Sequence, residues 1–373
     1  NFILNEKIDL VVVGPEEPLV NGLVDFLRSQ PETAKLPVIG PDSLGATLEG
    51  SKDFSKRFML RNGIPTAAYE TFTPDQIESG LAYLEKQSLP IVLKADGLAA
   101  GKGVLICQTL EDAKSSLKEM LLEAKFGKAS SKVVVEEFLT GIELSVFVAT
   151  DGKSYKILPE AKDYKRIGEG DTGLNTGGLG AVSPVIFADE AFMKKVEERI
   201  VKPTINGLAK ENIDYKGFLF IGLMNKNGEP YVIEYNVRMG DPETEAVLPR
   251  IESDFLEMLK AMGQGNLDQY QLDISPDYST TVVMVSGGYP GSYPKGFPIS
   301  IPEGEPKGII FHAGTARNPE GKLTNQGGRV LAVTGRGKTL EEALNNAYST
   351  VNSISWNQVY FRKDIGQDIL KLI

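Results

Sequence analysis

The sequence predicts a multidomain protein of α/β and α+β type, with a partial parallel α/β domain first, two mixed subdomains next and a small α+β domain last. Three observations lead there. An apolar run, "KIDLVVVG", is followed by a helical stretch and a second short strand, "LPVIGP", which is the strand–helix–strand order of a parallel sheet. Residues 66–139 alternate apolar strands with helical stretches around one glycine-rich loop. From residue 140 onward short apolar strands dominate, punctuated by turns rich in Gly, Asn and Pro.

Taken in order, "KIDLVVVGPEEPLV" is a buried strand that stops at Gly14-Pro15, and a helix follows near 18–29. The chain opens at Asn1 without a methionine and enters a strand almost at once, so an upstream segment is expected. "SKDFSKRFMLRNGIP" reads as a helix ended by Asn62-Gly63 and Pro65, closing a first domain at 1–65. The second domain, 66–139, runs strand, helix near 74–87, strand "PIVLKAD", glycine loop, strand "GVLIC", helix near 110–123 and strand "KVVVEEFL". The third, 140–270, holds strands "LSVFVAT" and "YKILP", a long polar loop and a helix near 189–210. It ends with "GFLFIGLM" and "PYVIEYN", joined by the turn Asn227-Gly228. The last, 271–373, combines short strands, the turn-rich "GGYPGSYPKG" and a helix near 339–352.

Composition narrows the chemistry. A net charge of −10 and a pI near 5.0 argue against nucleic acid or an anionic membrane as partner. No apolar run approaches the roughly 20 residues that span a bilayer, and no secretory signal opens the chain. The single cysteine, Cys107, excludes an internal disulfide and a cysteine-based zinc site. Within "VLIC" it reads as a core residue, and such cysteine usage fits a cytoplasmic protein. The single histidine, His312, removes histidine triads and two-histidine metal sites, and in "FHAGT" it reads as a structural residue. Catalysis must then run on carboxylates, lysines, arginines and backbone amides.

Four stretches carry such groups. "KADGLAAGKGVLI" (94–106) lacks the spacing of a P-loop and of a dinucleotide fingerprint. Its glycines Gly97, Gly101 and Gly103 can still bring backbone amides to phosphate, with Lys94 and Lys102 as point charges. In "VVVEEFLTGIELSV" (133–146), carboxylates at the end of a buried strand cost desolvation, and an adenine nucleotide would explain them. Glu136 would accept from the adenine amino group, backbone near Phe138 and Leu139 would pair with the ring edge, and Glu143 would take ribose hydroxyls. In "VIEYNVRMGDPE" (232–243), strand periodicity sets Glu234, Asn236 and Arg238 on one face, about 7 Å apart in steps of two. The first two are hard oxygen ligands suited to Mg²⁺, and the arginine suits an anion. The loop 163–183, with Gly173, Gly177, Gly178, Gly180, Asn175 and Thr176, suits backbone binding of a small polar substrate.

Together with "GPEEPLV", "LEGSKDFSK", "DTGLNTGGLGAVSP", "GGRVLAVT" and "RKDIG", these strings resemble, from end to end and in order, the phosphoribosylamine–glycine ligase family of the ATP-grasp superfamily. The resemblance implies an ATP-grasp fold, in which two α+β subdomains close on ATP. It also implies an activity in purine synthesis: ATP phosphorylates the carboxylate of glycine, and the amine of 5-phosphoribosylamine displaces phosphate to give glycinamide ribonucleotide. The cofactors implied are ATP with Mg²⁺ or Mn²⁺, and the protein would be a monomer or weak homodimer. Carried over by position, Lys52 and Lys94 would hold phosphates, Gly101, Lys102 and Gly103 would cover them, and Glu136, Glu137, Phe138, Leu139 and Glu143 would hold the nucleoside. Glu234 and Asn236 would bind metal, and Arg238, Asp171 and Lys94 would be catalytic. Asp171, Asn175, Thr176, Gly177, Gly178, Arg238, Gly240 and Asp241 would contact the substrates, with the backbone of Gly177 and Gly178 forming a wall that admits only glycine.

The family pattern is not matched everywhere. Leu179 stands where the family usually has methionine, and Tyr164 where histidine is common. The family's opening glycine-rich loop, which serves the sugar phosphate, is absent from this chain, and "FLFIGLM" carries no acid for a second metal ion. A different ATP-grasp enzyme, such as a purine-pathway carboxylase component, shares the general motifs. A non-catalytic nucleotide binder would too, but the joint presence of Lys94, Glu234, Asn236 and Arg238 speaks against it.

Overall fold

The computed structural model describes residues 1–98 and 103–372. They fall into two compact units: 1–157 with 190–239 and 254–271, and 158–189 with 240–253 and 272–373. Among the described residues no helix is long and apolar enough to cross a membrane.

The first unit begins with a short parallel pair, Val11–Val12 beside Val38–Ile39. The helix expected near 18–29 is two helices, Glu16–Val20 and Leu23–Ser29, because Gly22 takes a left-handed φ of 80° between them. A helix absent from the sequence reading, Ser43–Gly50, is capped by the Asp42 carboxylate, which accepts from Gly45 N at 2.7 Å. The next, Lys52–Arg61, starts at Ser51, whose hydroxyl accepts from Phe54 N at 3.1 Å, and stops at the expected Asn62-Gly63. Its start is pinned by Asp96, whose Oδ1 accepts from Ser51 Oγ at 2.9 Å and from Asp53 N at 2.8 Å.

Two antiparallel sheets follow in this unit. One is four-stranded, in the order Tyr69–Phe72, Val133–Glu137, Ile91–Ala95, Val104–Cys107. Helices Ile77–Leu84 and Leu110–Leu122 cover it, and Leu93, Val135, Leu117 and Met120 share their core with Cys107, which is buried as the sequence implies. The other orders Glu229–Asn236, Gly217–Lys226, Ile142–Thr150 and Tyr155–Ile157. Its hairpin turns at Asn227 and Gly228, both at positive φ (54° and 80°), the conformation the Asn-Gly pair foretells. The helical run from Glu190 to Lys210 carries a π-helical turn at Glu197–Val201 and meets this sheet through Thr204 Oγ1 and Tyr235 Oη, 2.7 Å apart.

The second unit is built on a six-stranded sheet. Tyr278–Ser286 pairs with Arg329–Gly337 and with Gly180–Ser183, and Lys162–Asp163 extends the sheet beyond the latter. The domain boundary expected near residue 270 is therefore crossed by the sheet, since strands from both sides of it pair directly. Local periodicity finds strands but carries no record of their partners. Helix Leu340–Val351 lies against Arg329–Gly337 so closely that a Cβ at Gly335 would stand 3.0 Å from Ala347 Cα, with nearer backbone atoms beside it. Gly335→Ala should accordingly destabilise this unit by about 1–3 kcal/mol. Thermal denaturation followed by circular dichroism checks this, and an unchanged melting temperature would contradict the packing.

Candidate functional site

In the first unit a cavity of about 200 Å³ is lined by Lys52, Lys56, Lys94, Glu136, Glu234, Asn236 and Arg238, with Glu16 and Glu49 at the arginine. One wall is cationic. Lys52 opens its helix and donates to Gly97 O at 3.2 Å, and burial lowers its ammonium's pKa. Lys94, in the strand Ile91–Ala95, donates to Ile233 O at 3.2 Å and pairs with Glu136 Oε2 at 3.0 Å. Lys56 pairs with that same oxygen, also at 3.0 Å. Sequence reasoning missed Lys56. The available signal was its place one helical turn after Lys52, which puts both on one face.

The other wall is the strand Glu229–Asn236 and its continuation. Side chains alternate there: Tyr235 and Val237 are buried, while Glu234, Asn236 and Arg238 are half-buried and line the cavity. Arg238 is held by two carboxylates that the sequence reading did not anticipate. Its Nε donates to Glu16 Oε2 at 3.1 Å and its Nη2 to Glu49 Oε1 at 2.9 Å, while Val237 N donates to Glu49 Oε2 at 2.8 Å. Burial pushes the Glu49 carboxyl up to about 7 from its ordinary 4.5, against the opposing pull of Arg238 and the Val237 amide. Glu16 and Glu49 are engaged by the arginine, and Glu234 and Asn236 line the cavity as oxygen donors that could hold a metal. No cluster of three or more His, Cys, Asp or Glu suited to a metal ion occurs among the described residues. Two protein oxygens fit Mg²⁺, which keeps waters and shares substrate phosphates rather than filling an all-protein cage.

The other residues expected at the nucleoside lie apart from that lining. Glu137 is exposed and its N–H is taken by Ala68 O at 3.0 Å, Phe138 is 38% exposed, and Leu139 is buried beside Ala67 and Met224. Glu143 sits on Ile142–Thr150 in register with Met224. Glu136, expected to receive an adenine amino group, has one oxygen committed to two lysines. Gly103 lines the cavity and its carbonyl accepts from Ala95 N at 2.8 Å. Gly101 and Lys102 lie outside the described residues.

The expected substrate residues of 171–180 and 240–241 belong to the second unit. Asp171 turns the hairpin between Arg166–Gly168 and Thr172–Asn175 at φ 54°, and its carboxylate accepts from Arg362 Nη1 at 2.7 Å. Arg362 is 1% exposed and also holds Asp364, so Asp171 serves here as counter-ion to a buried cation. Asn175 is exposed on the hairpin. Thr176 Oγ1 donates to Lys165 O and accepts from Gly178 N, closing a tight turn. Gly177 N donates to Tyr289 Oη at 3.0 Å, and Gly177 O accepts from Arg329 Nη1 at 2.6 Å. Asp241 makes a two-pronged pair with Arg329, at 2.9 and 2.6 Å, and a Cβ at Gly240 would meet the Glu243 carboxylate. The two glycines expected to form a wall pack against protein neighbours. A Cβ at Gly178, whose φ is 112°, would run into Pro242 Cδ, and one at Gly177 would reach Arg329 Cζ at 2.9 Å. At Gly178 the space is taken by Pro242, and at Gly177 by the end of the Arg329 side chain. His312 is exposed, with Nδ1 3.2 Å from Thr315 Oγ1.

Comparison with known proteins places this geometry. Profiles of the phosphoribosylglycinamide synthetase N domain, ATP-grasp (A) domain and C domain match residues 1–49, 50–244 and 279–368. The chain is 46% identical over 369 residues to a phosphoribosylamine–glycine ligase of Escherichia coli K12, covering 98% of this chain and 85% of that protein. It is also 46% identical to a bifunctional purine biosynthetic protein of Pichia angusta, of which it spans 46% of the length. The crystal structure of a phosphoribosylamine–glycine ligase from Thermotoga maritima is similar at a TM-score of 0.84 and 37% identity, covering 95% of this chain and 85% of that one. A biotin carboxylase from Campylobacter jejuni, at 15% identity and a TM-score of 0.74, shares the fold.

Two outcomes follow from the geometry. Gly178→Ala should destabilise the second unit by about 1–3 kcal/mol through its positive φ and its contact with Pro242. A variant that unfolds with the parent would disprove the packing role. Glu49, protonated more readily in the folded chain, adds stability that is full below about 4.5 and is lost as pH rises through about 7. Between pH 5 and pH 8 the parent should therefore lose more melting temperature than Glu49→Gln does, and equal losses would refute the shift.

Proposed function

The chain belongs to the phosphoribosylglycinamide synthetase family, and from that premise we propose how its residues divide the work of the family's reaction. The reaction joins glycine to 5-phosphoribosylamine at the expense of ATP, in purine biosynthesis. A glycine carboxylate oxygen attacks the γ-phosphorus, ADP leaves, and glycyl phosphate forms. The substrate amine then attacks the acyl carbon, phosphate departs, and the nitrogen sheds its proton to give glycinamide ribonucleotide. The nucleophile comes with the substrate, so positioning and charge stabilisation carry the catalysis, and well-oriented reactants alone supply roughly 7–11 kcal/mol.

The observation that carries the assignment is the facing of Lys52 and Lys94 across one cavity from Glu234, Asn236 and Arg238. Lys52 and Lys94 take the nucleotide phosphates, with Gly101, Lys102 and Gly103 covering them. Glu234 and Asn236 hold the divalent ion, which when bound neutralises phosphate charge. Arg238, oriented by Glu16 and Glu49, steadies the acyl phosphate. Glu137, Phe138, Leu139 and Glu143 take the nucleoside. In the second unit, Asn175, Thr176, Gly177, Gly240 and Asp241 are assigned to glycine and the amine, and Asp171 to holding the hairpin that presents them. Residues 66–139, with their own sheet and core, act as a lid over ATP. The protein is assigned to the cytoplasm as a monomer or weak homodimer, and the net charge of −10 supports the reading that nucleic acid and anionic membranes are not its partners.

ADP release should require both glycine and phosphoribosylamine for sustained turnover, and alanine or serine should not replace glycine. Equal use of alanine would defeat the assignment. Glu234→Gln should fold normally, lower turnover by roughly 10–100-fold and flatten the Mg²⁺ dependence. Near-normal turnover with an unaltered metal profile would remove Glu234 from the metal site.

A further inference from the structure

We propose that Lys56 is a positioning residue for the nucleotide: by sharing the Glu136 carboxylate it leaves Lys94 with charge and an N–H free for the phosphates. The proposal rests on reading this cavity as the nucleotide site. An ammonium carries three donors. Those of Lys56 are matched by Thr66 Oγ1 at 2.8 Å, Glu136 Oε2 at 3.0 Å and Ala67 O at 3.4 Å, and the residue is 2% exposed. Lys56 is thus saturated by protein although it lines the cavity. Lys94 is not, for Glu136 Oε2 and Ile233 O account for two donors and no third partner occurs among the described residues.

The carboxylate explains why two cations are needed. Glu136 is 4% exposed and its other oxygen, Oε1, has no partner among the described residues, so its neutralisation falls wholly on Oε2 and the lysines bound there. A buried carboxylate with one cation holds that cation tightly. Shared between two, it offsets only part of either charge. Without Lys56 the whole of Glu136 would be matched against Lys94. Burial lowers the Lys56 ammonium to about 8 while Glu136 pulls the other way, so it remains mostly protonated at neutral pH.

Calorimetric titration of the full chain with Mg–ATP tests this. Lys56→Met should weaken ATP binding about tenfold, which is about 1.4 kcal/mol. Lys56→Arg, which keeps the charge, should stay within about threefold of the parent. In a Lys94→Met background the same Lys56→Met change should cost less than about threefold, because its route of action is gone. Equal losses in both backgrounds, or parental affinity in a folded Lys56→Met, would overturn the proposal. If Lys56→Met does not fold, Lys56→Gln replaces it: a roughly tenfold loss of affinity then supports the role, and parental affinity overturns it. A parent chain that does not bind ATP would overturn the nucleotide reading and this proposal with it, whereas a binding parent with the wrong pattern among variants overturns this proposal alone.

Discussion

One buried carboxylate organises the first unit. Glu136, at the end of Val133–Glu137, draws Lys56 from the helix Lys52–Arg61 and Lys94 from the strand Ile91–Ala95, and Lys94 continues to the carbonyl of Ile233 in the other sheet. Desolvating an ion costs several kcal/mol, and only well-placed partners offset it. These segments therefore cannot take up positions independently: a shift of either sheet would strand a charge. Asp96 reinforces the arrangement by binding the start of the same helix. The cavity between the walls follows from this constraint.

The opposite wall obeys a simpler rule. A strand alternates its side chains, so Tyr235 and Val237 pack inward while Glu234, Asn236 and Arg238 reach the cavity. The charge of Arg238 repels that of the lysines across the space, and Glu16 and Glu49 compensate it. The result is a cationic wall facing hard oxygen donors and a braced guanidinium, a charge pattern that fits a polyphosphate accompanied by a divalent ion.

Glycines play a different part in the second unit from the one a motif suggests. Gly177 and Gly178 look like bare backbone offered to a small substrate, yet their missing Cβ atoms make room for Arg329 and Pro242. Arg329 in turn gathers Gly177 and Asp241, and Arg362 gathers Asp171 and Asp364. Two arginines hold the loops.

Much of this was legible along the chain. The Asn-Gly turn, the alternation that set Glu234, Asn236 and Arg238 on one face, the stop at Asn62-Gly63 and the core place of Cys107 all depend on neighbours within a few residues, and each is found in the fold. Composition and spacing likewise excluded a P-loop, a disulfide framework and histidine chemistry. Partners far apart in sequence were not legible. Nothing local joins Lys56 to Glu136 across 80 positions, joins Glu49 to Arg238 across 189, or seats Gly180–Ser183 beside Tyr278–Ser286. The sequence by itself determined which groups could do chemistry and how they are spaced on each element. Only the tertiary structure decided which of them share a buried charge, because that depends on which segments exclude water together.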